Sequence, residues 1–144
     1  MSVARSPRAT WGILSGALAL GCGGGGSGGP GPTAPPEVAS VRLFVGVQDV
    51  TDHIALLLGQ TLRIEVRLYA ANGGRIAAGD GEFDVQFGFS PSSVATAAAV
   101  PSSPLERDVT ATAPAGTHGT LMVACDDHRL MSLKQFGPFE ILVH

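Results

Sequence analysis

Two short runs of this sequence contain side chains that commonly bind metal ions. The first is Cys-Asp-Asp-His at residues 125–128, and thiolate, carboxylate and imidazole groups are all ligands of zinc. Consecutive residues of a strand point to opposite faces, so these groups converge on one ion only if the chain curls there. Cys125 also alternates with Leu121 and Val123, which predicts a small buried cysteine rather than a metal ligand.

The second run is Asp-Gly-Glu-Phe-Asp at residues 80–84, which places carboxylates at alternate positions. Calcium prefers such oxygen ligands, but the EF-hand spacing fails because Val85 and Pro91 occupy its sixth and twelfth positions. A solvated acidic turn before a strand explains the same residues. We expect no metal ion and no cofactor, with calcium binding by these carboxylates and by Asp126 and Asp127 as the alternative.

The four histidines do not suggest a shared site. His118 and His128 flank one predicted strand and would lie roughly 30 Å apart at about 3.3 Å per residue. His53 belongs to a turn-like Thr-Asp-His run, and His144 is the last residue. All four are therefore expected to be exposed to solvent. Since no polar constellation for a catalytic cleft is evident either, the sequence predicts no catalytic residues and a protein that is not an enzyme.

Two glycine-rich motifs formally match nucleotide-binding and hydrolase signatures. Residues 21–26 satisfy G-x-G-x-x-G, and residues 25–29 satisfy G-x-S-x-G. The first motif needs a strand before it and a helix after it, and the second needs a strand, a turn and a helix. A run of glycine and proline follows both motifs, so neither is interpreted as functional.

The first 22 residues have the three zones of an export signal. Arg5 and Arg8 give a positive start without any acidic residue, and an apolar or small stretch follows at residues 11–20. This layout is typical of a secretory signal peptide, and it is too short to span a bilayer as a mature helix.

The end of that stretch, Leu-Ala-Leu-Gly-Cys at residues 18–22, resembles the lipobox of bacterial lipoproteins. The family usually has leucine three positions before the cysteine, where this chain has Ala19. The resemblance implies cleavage before Cys22, lipidation of the Cys22 thiol and of the new amine, and a membrane anchor of acyl chains. Glycine rather than aspartate after Cys22 resembles the sorting signal for the outer membrane.

Composition divides the chain into three parts. Residues 1–21 form the predicted signal peptide, residues 22–37 a flexible linker rich in glycine and proline, and residues 38–144 a folded domain. As a coil the linker would reach roughly 20 Å, which suits a tether. The formal net charge of −3 gives no basic face, so we expect no nucleic-acid partner.

Apolar and polar residues alternate repeatedly after the linker, which predicts strands rather than helices. The clearest case is residues 61–70, where Leu62, Ile64, Val66 and Leu68 share one face. About seven short strands in about 105 residues predict an all-β fold, a single antiparallel β-sandwich. The alternating runs are residues 41–45, 61–70, 83–89, 108–113, 119–125 and 139–143.

Four pieces of this pattern resemble the bacterial immunoglobulin-like domains of the Big type. The residues that carry the resemblance are VASVRLFV, LLLGQTLRIEVRLYAANGG, VQFGFSPSSVAT and VTATAPAGTHGTLMVAC. It covers residues 38–143 and implies an immunoglobulin-like sandwich. The family often has a core tryptophan where this chain has Phe87, and residues 97–107 and 126–138 look longer than the usual connections.

These predictions together describe an exported, lipid-anchored protein of the cell envelope with one immunoglobulin-like module. The module is expected to be monomeric and to serve protein binding, adhesion or spacing, since a sandwich edge can add a partner strand. A calcium- or carbohydrate-binding module is the alternative. The sequence names no particular protein partner.

Overall fold

The computed structural model describes residues 33–144. This part of the chain contains ten strands and no helix. Seven strands are six residues or longer, in agreement with the number expected from the sequence. The strands are β1 (Ser40–Val45), β2 (Gln48–Asp49), β3 (Ile54–Leu56), β4 (Thr61–Tyr69), β5 (Arg75–Ile76), β6 (Phe83–Ser90), β7 (Ala95–Val100), β8 (Ser103–Ala111), β9 (His118–Asp127) and β10 (Ser132–Val143).

The strands form two sheets, and their order is that of an immunoglobulin sandwich. The first sheet has the order β2-β1-β4-β8-β7, with β5 paired to β4, and the second has the order β3-β10-β9-β6. The orders β1-β4-β8-β7 and β10-β9-β6 correspond to the ABED and GFC sheets of the constant-type domain. All pairings are antiparallel except that of β3 with β10. The predicted all-β, immunoglobulin-like sandwich is therefore confirmed.

The core lies between the two sheets and is almost entirely aliphatic. The alternation in β4 is as predicted, because Ile64, Val66 and Leu68 are buried while Arg63 is exposed. Burying each such side chain contributes about 1.5–3 kcal/mol relative to leaving it in water. Phe87 is only partly buried and packs against this core, and the largest fully buried side chain is Phe83 instead.

Two segments expected to be long connections are strands instead. Residues 97–107 contain most of β7 and the first half of β8, joined by a tight turn in which Ser102 has a φ of 61°. Residues 126–138 contain the end of β9 and the first half of β10. Both expectations were wrong because alanine runs and mixed polar residues carry little alternation, and neighbouring strands impose the extended conformation.

The N-terminal segment enters the sandwich where β9 turns into β10. Arg129 donates a hydrogen bond from Nη2 to the Pro36 carbonyl oxygen at 3.1 Å. Lys134 donates from Nζ to the Val38 carbonyl oxygen at 2.8 Å and lies 2.6 Å from a carboxylate oxygen of Glu37. Side chains of the second sheet therefore hold the beginning of the folded domain in place.

Candidate functional site

Strand β7 is the uncovered edge of the first sheet. It pairs with β8 alone, and residues Thr96, Ala97, Ala98 and Ala99 are all exposed. Val94 lies opposite Thr112, and the Thr112 N–H donates a hydrogen bond to the Val94 carbonyl oxygen. Hydrogen-bonded pairs recur at every second residue of an antiparallel ladder, so the even-numbered residues of β7 are the ones that are hydrogen-bonded to β8. By the alternation of an antiparallel ladder, Ala97 and Ala99 direct their backbone N–H and C=O groups away from β8.

This edge lacks two of the features that normally prevent strand addition, charged side chains and proline. Natural sheets block their edges with charged side chains, proline, bulges or very short strands. The run Ala95–Ala99 contains no charge and no proline, and its pairing with β8 is regular up to Ala99. The irregularity in the β7–β8 ladder lies only after Ala99. Residues 96–99 are exposed along this edge, while Ala95 is buried at 2% exposure.

Some of the other sheet edges among residues 33–144 are short or are closed by a loop. Strands β2 and β3 contain two and three residues. Beside β1, the Leu43 N–H donates to Thr51 Oγ1 and the Val50 N–H donates to the Leu43 carbonyl oxygen. The edge of β1 is therefore closed by the loop that follows β2.

At the edge of β6, the terminal strand of the second sheet, an inward-pointing arginine from the opposite sheet engages one backbone acceptor. Arg107 of β8 donates from Nη2 to Asp84 Oδ1 at 2.7 Å and to the outward-facing carbonyl oxygen of Val85. Its Nη1 donates to the carbonyl oxygen of Glu106 at 2.6 Å and to that of Pro104 at 3.2 Å. The guanidinium is 10% exposed, so it ties the two sheets together and removes an edge acceptor from water.

A cleft opens between these two edges, on the side of the sandwich where β6 and β7 meet. It has a volume of about 520 Å³. Its walls include the Arg107–Asp84 pair and the inner face of Ala99, which the second sheet leaves uncovered. The candidate site therefore combines a backbone edge with a shallow cleft behind it.

The Cys-Asp-Asp-His run adopts the alternating arrangement that the sequence predicts. Cys125 is buried in the core at 1% exposure, and burial raises the pKa of its thiol to about 11. Asp127 also points inward, where Arg129 binds it at 2.9 Å and lowers the pKa of the Asp127 carboxyl. Asp126 and His128 face solvent on the other side. The four groups do not converge.

The carboxylates of residues 80–84 also bind different partners rather than a common one. Glu82 accepts a hydrogen bond from the Gly79 N–H at 2.8 Å, while Asp84 binds Arg107. Asp80 borders the cleft with Asp84. Within residues 33–144, no group of three or more histidine, cysteine, aspartate or glutamate side chains is arranged to hold a metal ion.

All four histidines are exposed, as expected, but two of them share a surface depression that the sequence did not reveal. His53 and His118 border a hollow of about 350 Å³ together with Glu140. They meet because β3 pairs in parallel with the end of β10, which itself pairs with the start of β9. No local spacing in the sequence carries that information.

The outer face of the first sheet is a network of ion pairs. Arg63 binds Asp108 across the β4–β8 ladder at 2.8 Å, and Glu65 binds both Arg67 and Arg75. The Arg67 guanidinium also lies 3.7 Å from the centre of the Phe44 ring. Each exposed pair of this kind contributes roughly 0–1 kcal/mol.

The expected lipidation residue Cys22, the signal peptide and most of the linker lie outside the described residues. Among residues 33–144, there is no helix of the length and hydropathy needed to cross a membrane. No protein-family model matches the chain, and a search of curated proteins finds no match.

Proposed function

We propose that this protein is a lipid-anchored, non-enzymatic protein of the bacterial cell envelope that displays one immunoglobulin-like module for protein binding. Its place is the outer membrane or the cell surface, and its partner adds a strand to the sheet. The observation that carries the binding role is the uncovered, uncharged edge of β7. Fold alone does not specify a function, so the proposal depends on this edge and on the N-terminal sequence.

The anchor is supported by the order of features at the N-terminus. A positive start, an apolar stretch and a small residue before Cys22 are the features that a lipoprotein signal requires. Each buried methylene of an acyl chain contributes about 0.8 kcal/mol, and several chains are needed for stable attachment. Lipoproteins of the resembled family typically carry three chains on this cysteine.

The way the chain enters the module suits display from a tether. Arg129 and Lys134 fix residues 36–38 at the end of the sandwich where β9 turns into β10. The turn that joins β6 to β7 lies at the opposite end, since β6 runs away from that hairpin. A tether attached through Pro36 therefore leaves the loops at the far end free for a partner.

A partner strand added at β7 would gain affinity from backbone hydrogen bonds, and the small side chains of β7 would let it approach closely. The outward N–H and C=O groups of Ala97 and Ala99 supply hydrogen bonds to any extended segment. Because these side chains are methyl groups, a partner strand can approach without steric hindrance. The adjacent cleft beside Arg107 would accept the side chains on one face of the added strand.

The anchor is tested by intact-mass analysis of the full chain recovered from membranes of a bacterial host. We expect loss of residues 1–21 and added acyl mass on Cys22. The Cys22→Ala variant should carry no acyl mass, whereas Cys125→Ala, which changes the other cysteine, should keep it. A wild-type chain without acyl mass, or a Cys22→Ala chain that retains it, contradicts the anchor.

The binding role is tested with a photo-crosslinking amino acid at Thr96 in the edge strand. The matched control places the same group at Thr110, which pairs with Thr96 one strand further from the edge. We expect adducts from the Thr96 position in cells, with few from Thr110 and a strong reduction when Ala97→Lys is added. Equal adducts from both positions, or none from either, would indicate a spacer without an edge partner.

A further inference from the structure

Two large apolar side chains are exposed to solvent on the hairpin that joins β9 to β10. The ladder ends with Asp127 opposite Ser132, so residues 128–131 form the turn. Met131 in this turn is 92% exposed, and Leu133, the second residue of β10, is 67% exposed. Neither side chain belongs to the core of the sandwich. Residues 128–133, the hairpin tip, therefore present apolar surface that the fold itself does not use.

The backbone of Met131 is also unusual. Its φ is 49°, in the left-handed region that glycine and asparagine adopt more readily than a long side chain does. Glycine or asparagine would therefore form this turn with less strain than methionine. Since neither the turn geometry nor core packing explains a methionine here, its side chain is best explained by an external contact.

The hairpin tip is also where the N-terminal part of the chain enters the folded domain. Arg129, in the same turn, donates a hydrogen bond to the Pro36 carbonyl oxygen at 3.1 Å. The predicted linker between Cys22 and Pro36 would reach roughly 20 Å as a coil. Acyl chains on Cys22 would therefore hold the hairpin tip within one linker length of the bilayer.

From this arrangement we infer that the hairpin tip docks on the membrane to which the protein is anchored. Met131 and Leu133 enter the boundary between the lipid headgroups and the acyl chains. This inference rests on the proposed function, because it requires the lipid anchor. It adds a contact that the folded module itself makes with the membrane, and it specifies which end of the sandwich faces the lipid.

The anchor explains why so small an apolar surface is sufficient. Two side chains would hold a free domain on a bilayer only weakly, because the strength of binding scales with the buried apolar area. The tether makes the contact intramolecular, and a short flexible linker gives an effective concentration of about the millimolar range. The turn between β6 and β7, at the opposite end of the sandwich, would then face away from the lipid.

The charges beside the hairpin tip favour a zwitterionic lipid surface over an anionic one. Arg129 is bound by the buried Asp127 at 2.9 Å, and Lys134 lies 2.6 Å from a carboxylate oxygen of Glu37. Both of these cationic groups therefore have acidic partners, and the chain has a formal net charge of −3. Docking would accordingly be driven by burial of apolar side chains and not by attraction to anionic headgroups.

Tryptophan fluorescence can test the docking in the mature protein. The sequence contains one tryptophan, Trp11, and cleavage before Cys22 removes it. Met131→Trp places a single tryptophan in the hairpin tip. Val47→Trp is the matched control, because Val47 is 96% exposed and lies in the turn after β1, which runs away from the hairpin tip. The acylated chains are reconstituted into phosphatidylcholine vesicles with or without bromine on the acyl chains, since bromine quenches tryptophan only on contact.

We expect bromine to lower the emission of the Met131→Trp chain by about half, and that of the Val47→Trp chain by less than about a tenth. Adding Leu133→Asp to Met131→Trp should restore most of the emission, because a carboxylate resists entry into the bilayer. Adding Leu57→Asp instead should not, since Leu57 is 50% exposed at the other end of the sandwich. Raising the salt concentration to about 1 M should leave the quenching unchanged.

Equal quenching of Met131→Trp and Val47→Trp, or no quenching of Met131→Trp, overturns the inference. A blue-shifted emission of Met131→Trp without quenching by bromine also overturns it, because a protein surface would then cover the hairpin tip. Quenching that high salt abolishes would overturn the apolar basis of the contact.

These outcomes are distinguishable from failure of the proposed function. If Cys22 carries acyl mass while Met131→Trp is not quenched, the anchor stands and only the docking is wrong. If Cys22 carries no acyl mass, the anchor and the docking are both wrong.

Discussion

Arg107 and Asp127 are ionisable side chains that point into the sandwich rather than away from it. Each is tolerated because a partner of opposite charge and backbone groups satisfy its hydrogen bonds, through Asp84 for Arg107 and through Arg129 for Asp127. Both residues fall in segments that the sequence predicted to be connections, so it did not indicate their partners. Those partners lie on another strand for Arg107 and on the following turn for Asp127.

The first prediction concerns acid stability and Asp127. The hydrogen bonds from Arg129 hold the pKa of the Asp127 carboxyl below its usual range, so its contribution is complete above about pH 4 and is lost as pH falls through the folded pKa. Asp127→Asn should cost roughly 1–3 kcal/mol at pH 7, and less at pH 2. Chemical denaturation at several pH values measures this difference.

The control for this experiment is Asp52→Asn, since Asp52 is exposed and makes no ion pair among residues 33–144. It should change the free energy of unfolding by less than about 0.5 kcal/mol at either pH. An Asp127→Asn penalty that is equally large at pH 7 and pH 2 would argue against an ionised, stabilising carboxylate.

The second prediction concerns Cys125. Because only the thiolate is nucleophilic and burial raises the pKa of this thiol to about 11, Cys125 should resist alkylation in the folded protein. We expect a maleimide to modify Cys125 at least a hundredfold more slowly in native buffer than in denaturant, measured by peptide mass. Rapid modification of the native chain would show that the β9 region opens readily.

At the scale of the strands, periodicity is informative where one face is aliphatic and the other is charged. Strand β4 is of this kind and was located from its sequence alone. Strand β7 was missed because its alanines and single threonine fit either face of a sheet, or a helix, equally well. The same uniformity that concealed it also makes it an unprotected edge.

The third prediction concerns Gly137 in β10. The ladder with β9 shifts register between Phe136 and Phe139, and Gly137 has a φ of 119° there. A methyl group at this position would lie 2.8 Å from the Leu121 carbonyl oxygen, which requires the backbone to move. Gly137→Ala should therefore lower the free energy of unfolding by about 1–3 kcal/mol.

Gly88→Ala is the matched control for this substitution, because Gly88 lies in β6 of the same sheet. A methyl group added at Gly88 meets nothing within 4 Å. Thermal unfolding of the two variants should therefore differ clearly, with Gly88→Ala within about 0.5 kcal/mol of wild type. Equal stability of the two variants would indicate that the bulge rearranges without cost.

At the scale of the whole molecule, the sandwich separates groups that are close in the sequence and joins groups that are distant. The carboxylates of residues 80–84 and 125–128 are engaged by arginines or face solvent separately. His53 and His118, which are far apart in the sequence, border one hollow. Because these carboxylates are held apart, their arrangement can be used to test the alternative function, a calcium-binding module.

The fourth prediction is therefore that millimolar calcium leaves the melting temperature unchanged. Binding to the native state would raise it, but Asp84 and Asp127 are already bound by guanidinium groups that calcium would have to displace. The comparison is between melting in calcium and melting in chelator at matched ionic strength. A rise of several degrees in calcium would favour the calcium-binding alternative over strand addition.

The sequence by itself determined the all-β class, the burial of Cys125, the exposure of the histidines and the charged outer face of β4. The class, the burial of Cys125 and the face of β4 follow from period-two alternation, and the exposure of the histidines follows from their positions in turns and at strand ends, all of which are local properties of the chain. Only the tertiary structure decided that Arg107 binds the Val85 carbonyl oxygen at the edge of β6, that residues 126–138 continue two strands, and that β7 lies uncovered at a sheet edge. Those features depend on which strands become neighbours, and strand pairing is set by long-range packing that no short stretch of sequence encodes.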